Sequence, residues 1–423
     1  MSASPLPRPS DLIARRRAEV AELLATDAAQ AALAIHGTPL LLLDTARVER
    51  QFRRLRDALP FVRFHYAVKA LDHPAALAVL DRAGCGFDVA TSEELALLVD
   101  GSVDTARIIH THPIKKPAEI EHALAVGVRT FVVDNDAELA KFSRAPRDVR
   151  LLVRLAYRNP HAKSDLSSKF GVGFHEAERL VREARRRGIR VGGFSFHVGS
   201  QLDDPDRFVH AVDETIAFMS RLEHQLRVSF DTLDIGGGFP VGYDRDVAGI
   251  EDIAARIRPS LERVRGRYTI LAEPGRILVA EAATLVTSVM GIAERADGRW
   301  YYLDDGVYGA YSNVVAEDVH PLVFAVAELD GDAEQATHRW ATLAGPTCDS
   351  ADVIAREMLL PDLRVGDLLA SPAMGAYTAV TSTRFNGRPL TSIAVLSQAP
   401  ATGEVAIPAA TSGVGGPQPQ TVP

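Results

Sequence analysis

The sequence predicts an α/β chain: a (β/α)8 barrel of the TIM type followed by a separate all-β domain. Three observations carry this expectation. Eight apolar, β-rich runs alternate with helical spacing from Phe64 onward, and together they span roughly 200 residues, the size and count of a barrel. From about Ala280 the helical spacing gives way to β-like runs separated by turn residues. A doubly wound open sheet alternates in the same way, so the count of eight is what favours the barrel.

Taken in order, residues 1–10 are Pro/Ser-rich and predict a disordered tail. Asp11 to about Ile35 has helical spacing, "TPLLLLD" reads as a short strand, and residues 11–40 are expected to pack with the β domain. The barrel is expected over 41–280. Its strands are "FHYAVKA" from Phe64, "GFDVAT" from Gly86, "RIIHTH" from Arg107, "TFVVDN" from Thr130, "VRLLVRLAY" from Val149, "VGGFSFHVGS" from Val191, "DTLDIGGGF" from Asp231 and "YTILAEPGR" from Tyr268. The β domain is expected over 281–397, with one helical stretch at "SADVIAREMLL". The Pro/Gly/Ala/Thr-rich remainder, 398–423, predicts disorder.

A chain of 423 residues, 47% hydrophobic and carrying a formal charge of −8, is globular, and its charge disfavours nucleic acid and anionic membrane surfaces. The basic run "REARRRG" then reads as a solvated helix face. With only Cys85 and Cys348, far apart, a reducing cytoplasm is expected. The N-terminus has no signal-peptide pattern, and the apolar stretch from Ile277 is broken by Glu281 and rich in β-branched residues, so it reads as strand. No metal site is expected.

In a β/α barrel the functional face lies at the C-terminal strand ends. Strand alternation sets His65, Ala67 and Lys69 on one face, so Lys69 ends its strand pointing inward. Other strand ends supply Asp88, His197, the glycines Gly236, Gly237 and Gly238, and Glu273 with Arg276. Three glycines after a strand free backbone N–H groups to converge on an anion, and Arg276 adds a bidentate donor where barrels hold phosphate. A lysine whose pKa is lowered by partial desolvation forms Schiff bases; with a phosphate cradle and an acid for a ring nitrogen, it points to pyridoxal 5'-phosphate. Each feature alone has a plainer reading: a surface lysine, a tight turn, a packed histidine, a structural ion pair.

The ordered motifs "YAVKA", "FDVAT", "SKFGV", "FHVGSQ", "DIGGGFP", "EPGR", "DDGVYG", "GPTCDSAD" and "MGAYT" resemble the fold type III pyridoxal-phosphate decarboxylases of basic amino acids, most of all the ornithine/lysine decarboxylases, from about residue 35 to 390. The resemblance implies an alanine racemase-like barrel and decarboxylation of L-ornithine or L-lysine to the diamine. Lys69 would bind the cofactor as a Schiff base, Glu273 would face the ring nitrogen, and His197 would stack on the ring beside Asp88. Ser200, Gly236–Gly238, Gly275, Arg276 and Tyr377 would hold the phosphate. The site would be completed across a homodimer by Cys348 as proton donor and Asp349 as the group that binds the substrate ammonium, with Lys169 and Asp352 pairing across the same interface.

Departures from the family pattern are Leu71, His112 and, where a Tyr-Asp pair usually grips the side-chain amine, Ala316 and Glu317 with Asp318 adjacent. Glu317 and Asp318 are therefore further substrate-binding candidates. Decarboxylation of meso-diaminopimelate or of a non-standard amino acid in a specialised pathway is the alternative enzymatic reading. A non-catalytic regulator of a decarboxylase is the alternative from another class. An alanine racemase would place an arginine where Glu273 stands.

Overall fold

In the computed structural model, residues 11–157, 169–329 and 337–396 are described. The expected disordered tails, 1–10 and 398–423, lie outside them. A closed parallel barrel is formed by β2 (Val62–Ala67), β3 (Gly86–Val89), β4 (Ile108–His110), β5 (Thr130–Val133), β6 (Arg150–Leu155), β7 (Val191–Phe196), β8 (Thr232–Asp234) and β9 (Thr269–Ala272). All eight runs named from the sequence became its strands. Local chemistry starts the intervening helices. The side chain of Thr91 accepts from Glu94 N at 3.2 Å and opens Ser92–Asp100, and Asn135 accepts from Glu138 N at 2.9 Å and opens Asp136–Lys141. Inside the barrel, Ile109, Val132, Leu152 and Leu271 form a dry layer; outward-facing residues such as Phe87, Phe131 and Phe194 pack under the helices.

The second sheet contains β1 (Leu40–Asp44), β10 (Ala283–Arg295), β11 (Gly298–Leu303), β12 (Phe324–Ala325), β13 (His338–Ala344), β14 (Val353–Pro361), β15 (Leu368–Ser371) and β16 (Ser392–Leu396). Strand β1 pairs antiparallel with β10 and parallel with β16, so Leu41–Asp44 belong to this sheet and not, as the boundary at 41 supposed, to the barrel.

Three further local expectations are corrected. The first helix is two, Asp11–Leu24 and Asp27–His36, because Thr26 caps the second by accepting from Ala29 N at 3.2 Å. The stretch "SADVIAREMLL" contains strand β14, whose pairing with β13 slips at irregularities near the positive-φ residue Glu357, and this slip hides the two-residue alternation. The apolar run at Ile277 begins as the helical turn Arg276–Val279 before β10.

Candidate active site

The barrel register decides which side chains converge. Ala67 lies beside Asp88, Arg154 beside Ser195, Ser195 beside Asp234, and Asp234 beside Leu271. Alternation from the dry interior layer therefore carries Asp88, Asp134, Arg154, His197, Asp234 and Glu273 inward at the C-terminal mouth. Lys69 arrives from the short 3-10 turn Val68–Ala70 that follows β2, with Nζ 4.0 Å from Asp88 Oδ2. It shares one cleft with Ala67, His197, Ser200, Gly238, Glu273, Gly275, Arg276 and Tyr377.

The electrostatics of this mouth differ from the sequence expectation at one point. Burial does act to lower the Lys69 pKa, but Asp88, Tyr377 and Glu273 outweigh it, so the pKa lies above the ordinary lysine value. The carboxyls move the same way. Burial and then Glu273 push Asp88 well up, while Lys69 and a hydrogen bond from Thr111 Oγ1 at 2.5 Å oppose. Burial and then Asp234 push Glu273 well up. Asp234 itself is pushed up to about 6, mainly by burial. Its Oδ1 accepts from Gly236 N at 2.9 Å, whereas its buried Oδ2 meets no donor apart from a proton carried by Glu273. His197 goes far down through burial, helped by Arg154 and Lys69, and is neutral; its Nδ1 accepts from Gly199 N at 3.0 Å.

Opposite these groups lies an anion cradle. A Cβ on Gly236 would stand 2.0 Å from Phe196 O, one on Gly237 2.6 Å from Glu273 O, and one on Gly238 2.3 Å from Gly199 O. The glycines are there because the backbones touch, and φ of +66° and +100° at Gly236 and Gly238 adds a second requirement. A Cβ on Gly275 would crowd Ala67, Ala70 and the Tyr377 hydroxyl at 3.2 to 3.4 Å. Arg276 is buried; its Nη1 donates to Tyr243 Oη at 3.0 Å and its Nη2 to Ser200 Oγ at 3.2 Å, with the guanidinium 4.8 Å above the Tyr377 ring. A buried permanent cation, a hydroxyl and a side-chain-free loop beside a lysine fit pyridoxal phosphate: the cradle would take the phosphate and the Asp234–Glu273 pair would offer a proton to a ring nitrogen.

Sequence reasoning missed Arg154, Asp234 and Tyr243. Arg154 interrupts the apolar run "VRLLVRLAY", and Asp234 directly precedes the glycines; both signals were present. Tyr243 carried none.

The remaining candidates lie elsewhere. Glu317 is ion-paired to Arg276 and lines an adjacent cleft with Gln201, Tyr243, Val319 and His320. It thus stands behind Arg276. Asp318 is exposed and its Oδ1 lies 4.0 Å from His320 Nε2. Cys348 and Asp349 sit on the β-domain loop after β13. Cys348 is exposed and its N–H donates to Asn386 Oδ1 at 3.0 Å. Asp349 accepts from Ala351 N at 2.9 Å and from the Tyr308 hydroxyl, bonds that hold its pKa below the ordinary range. Neither lines the Lys69 cleft of its own chain. Asp352 is buried, with its oxygens taken by Val307 N at 2.9 Å and by Thr347 N and Oγ1 at 3.0 and 2.7 Å. It clamps its own loop.

The pyridoxal-binding domain of pyridoxal-dependent decarboxylases matches residues 45–280. A lysine/ornithine decarboxylase of Selenomonas ruminantium is 35% identical over 358 residues, covering 83% of this chain and 87% of that protein. Antizyme inhibitor 2 of Xenopus laevis is 35% identical over 363 residues, covering 81% and 78%. Among solved structures, the lysine/ornithine decarboxylase of Vibrio vulnificus, complexed with putrescine, superposes with a TM-score of 0.81 at 40% identity, covering 89% of this chain and 98% of that one. The lysine, the acid pair and the glycine-lined arginine are thus set in a fold shared with those enzymes, and the chain belongs to the pyridoxal-dependent decarboxylase family.

Proposed function

We propose that this pyridoxal-phosphate-dependent decarboxylase acts on L-lysine or L-ornithine, releasing carbon dioxide and the diamine, as a cytoplasmic homodimer. The observation that carries the reading is the single cleft in which Lys69, Glu273, Ser200 and Arg276 meet. Pyridoxal phosphate supplies an electron-withdrawing ring that takes up the electron pair left when the carboxylate departs. Every other task falls to the chain. Lys69 would hold the cofactor, and Asp88, 4.0 Å from its Nζ, would steady its ammonium. Glu273, backed by Asp234, holds a proton for the ring nitrogen, and neutral His197 presents a flat face for stacking. Ser200, Gly236–Gly238, Gly275, Arg276 and Tyr377 hold the phosphate.

The substrate end needs a carboxylate, because an ammonium buried without one is costly. Asp349 of a second copy is assigned that role and Cys348 of the same copy the return of a proton to the α-carbon. Asp349's ionised state supports this, as does the fact that neither residue lines the Lys69 cleft of its own chain. Among the described residues no helix is long and apolar enough to cross a membrane, and no cluster of metal-ligating side chains occurs.

Carbon dioxide release from a panel of basic amino acids tests the substrate class: lysine and ornithine should react, and activity confined to meso-diaminopimelate would overturn the proposal. The similarity to antizyme inhibitor 2 keeps a regulatory reading in view. That reading prevails if the purified protein shows no near-visible absorbance with pyridoxal phosphate, or if the band is the same in Lys69→Ala.

A further inference from the structure

The ion pair between Glu317 and Arg276 has no place in the roles just assigned. Arg276 is the cation of the anion cradle, and its Nη2 serves Ser200 Oγ and Glu317 Oε2 together. Ser200 faces the Lys69 cleft, whereas Glu317 comes from the other side, out of the cleft it shares with Gln201, Tyr243, Val319 and His320. The guanidinium therefore forms the wall between two clefts, with a carboxylate on one side and the phosphate position on the other. A phosphate drawn to Ser200 and Arg276 meets a second anion on the same nitrogen, and like charges sharing one buried cation oppose each other.

Glu317 is free to give way. It follows the four-residue helix Asn313–Ala316, its N–H donates to Asn313 O at 3.0 Å, and its side chain keeps 22% of its surface in water. A change of side-chain rotamer can take the carboxylate into the solvent of its own cleft without moving the backbone. Arg276 has no such freedom, being buried and fixed by Tyr243 and the Tyr377 ring.

We propose that Glu317 competes with the cofactor phosphate for Arg276 and so sets how tightly the phosphate is held, acting as a positioning residue of the cofactor site. This rests on the reading of Ser200 and Arg276 as the phosphate anchor. Two ligands that share one partner bind antagonistically, and coupling between sites typically amounts to about 5- to 150-fold in affinity.

The test titrates the full-length protein with pyridoxal 5'-phosphate and, separately, with pyridoxal, which has the same aldehyde and ring but no phosphate, following the near-visible absorbance of the lysine adduct. In Glu317→Gln the affinity for pyridoxal phosphate should rise about tenfold while that for pyridoxal stays unchanged. Glu317→Asp, which withdraws the carboxylate by one methylene, should fall between. An equal shift for both ligands, or an unchanged or weakened affinity for pyridoxal phosphate, overturns the proposal. If neither ligand forms an adduct with the wild-type chain, it is the assignment of Lys69 that fails. If both do and the ratio of their affinities ignores residue 317, only the competition fails.

Discussion

Asp234 shows how one residue tunes a neighbouring carboxyl, Glu273, from behind. It sits under the glycine loop, fully buried, and its pKa of about 6 means that the folded chain keeps a proton that the unfolded chain, with an ordinary value of 3.8, has lost. A raised pKa contributes stability that is complete below pH 3.8 and drains away as the pH rises through about 6. Glu273 is raised as well and shifts stability in the same sense. Asp234→Asn keeps an oxygen for the Gly236 N–H and gives Glu273 an amide donor, so it should remove that loss. The variant should then gain on the wild type between pH 5 and pH 8, by about 1 to 1.5 kcal/mol. Urea midpoints at the two pH values measure it, and parallel slopes for the two proteins would refute the shared-proton account.

At the scale of elements, the glycine loop after β8 separates strain from space. Gly236 and Gly188 both take positive φ, +66° and +71°, but a Cβ at 188 meets nothing within 4 Å while one at 236 stands 2.0 Å from Phe196 O. Gly188→Ala should therefore cost about 1 to 2 kcal/mol, the price of a left-handed alanine. Gly236→Ala and Gly238→Ala should cost upwards of about 3 kcal/mol and shift the denaturation midpoint without changing its slope. Equal costs at 188 and 236 would show that backbone contact around the loop is slack. The same contrast between local and distant causes explains what was legible beforehand. Barrel strands announce themselves because each buries two faces and runs apolar, and the lysine, glycines and Glu273 stand at their ends. Strand β14 was hidden by its slipped pairing, and β16 went unnamed because the case for it lies in β1, some 350 residues earlier in the chain. The raised pKa of Lys69 and the Glu317–Arg276 pair depend on which side chains the fold gathers, and no local pattern encodes that.

Two tests belong to the whole molecule. Arg16 is buried on the N-terminal helix, pairs with Glu281 at the junction of barrel and β domain, and also reaches Glu19 at 3.0 Å; Arg47 joins Glu281 from the helix Thr45–Ala58, also at 3.0 Å. Arg16→Ala leaves Glu281 with Arg47 alone as its counter-charge and should cost about 1 to 3 kcal/mol, read as a lowered unfolding midpoint. A midpoint within error of the wild type would mean that the helix does not tie the domains together. The second test concerns the copy number of the active site. Lys69 lies at the barrel mouth and Cys348 on a β-domain loop that does not line the Lys69 cleft. If one copy supplies each, Lys69→Ala and Cys348→Ala should each be nearly inactive alone. Mixed and allowed to exchange subunits, half of the dimers become heterodimers, and each of these holds one site with both native residues and one with neither. Activity should then return to about a quarter of the wild-type value. Recovery that scales with the heterodimer fraction requires the two residues to meet across the interface. Persistent inactivity in a mixture shown to contain heterodimers would place both in the same chain's site and would require the β-domain loop to move to the barrel mouth.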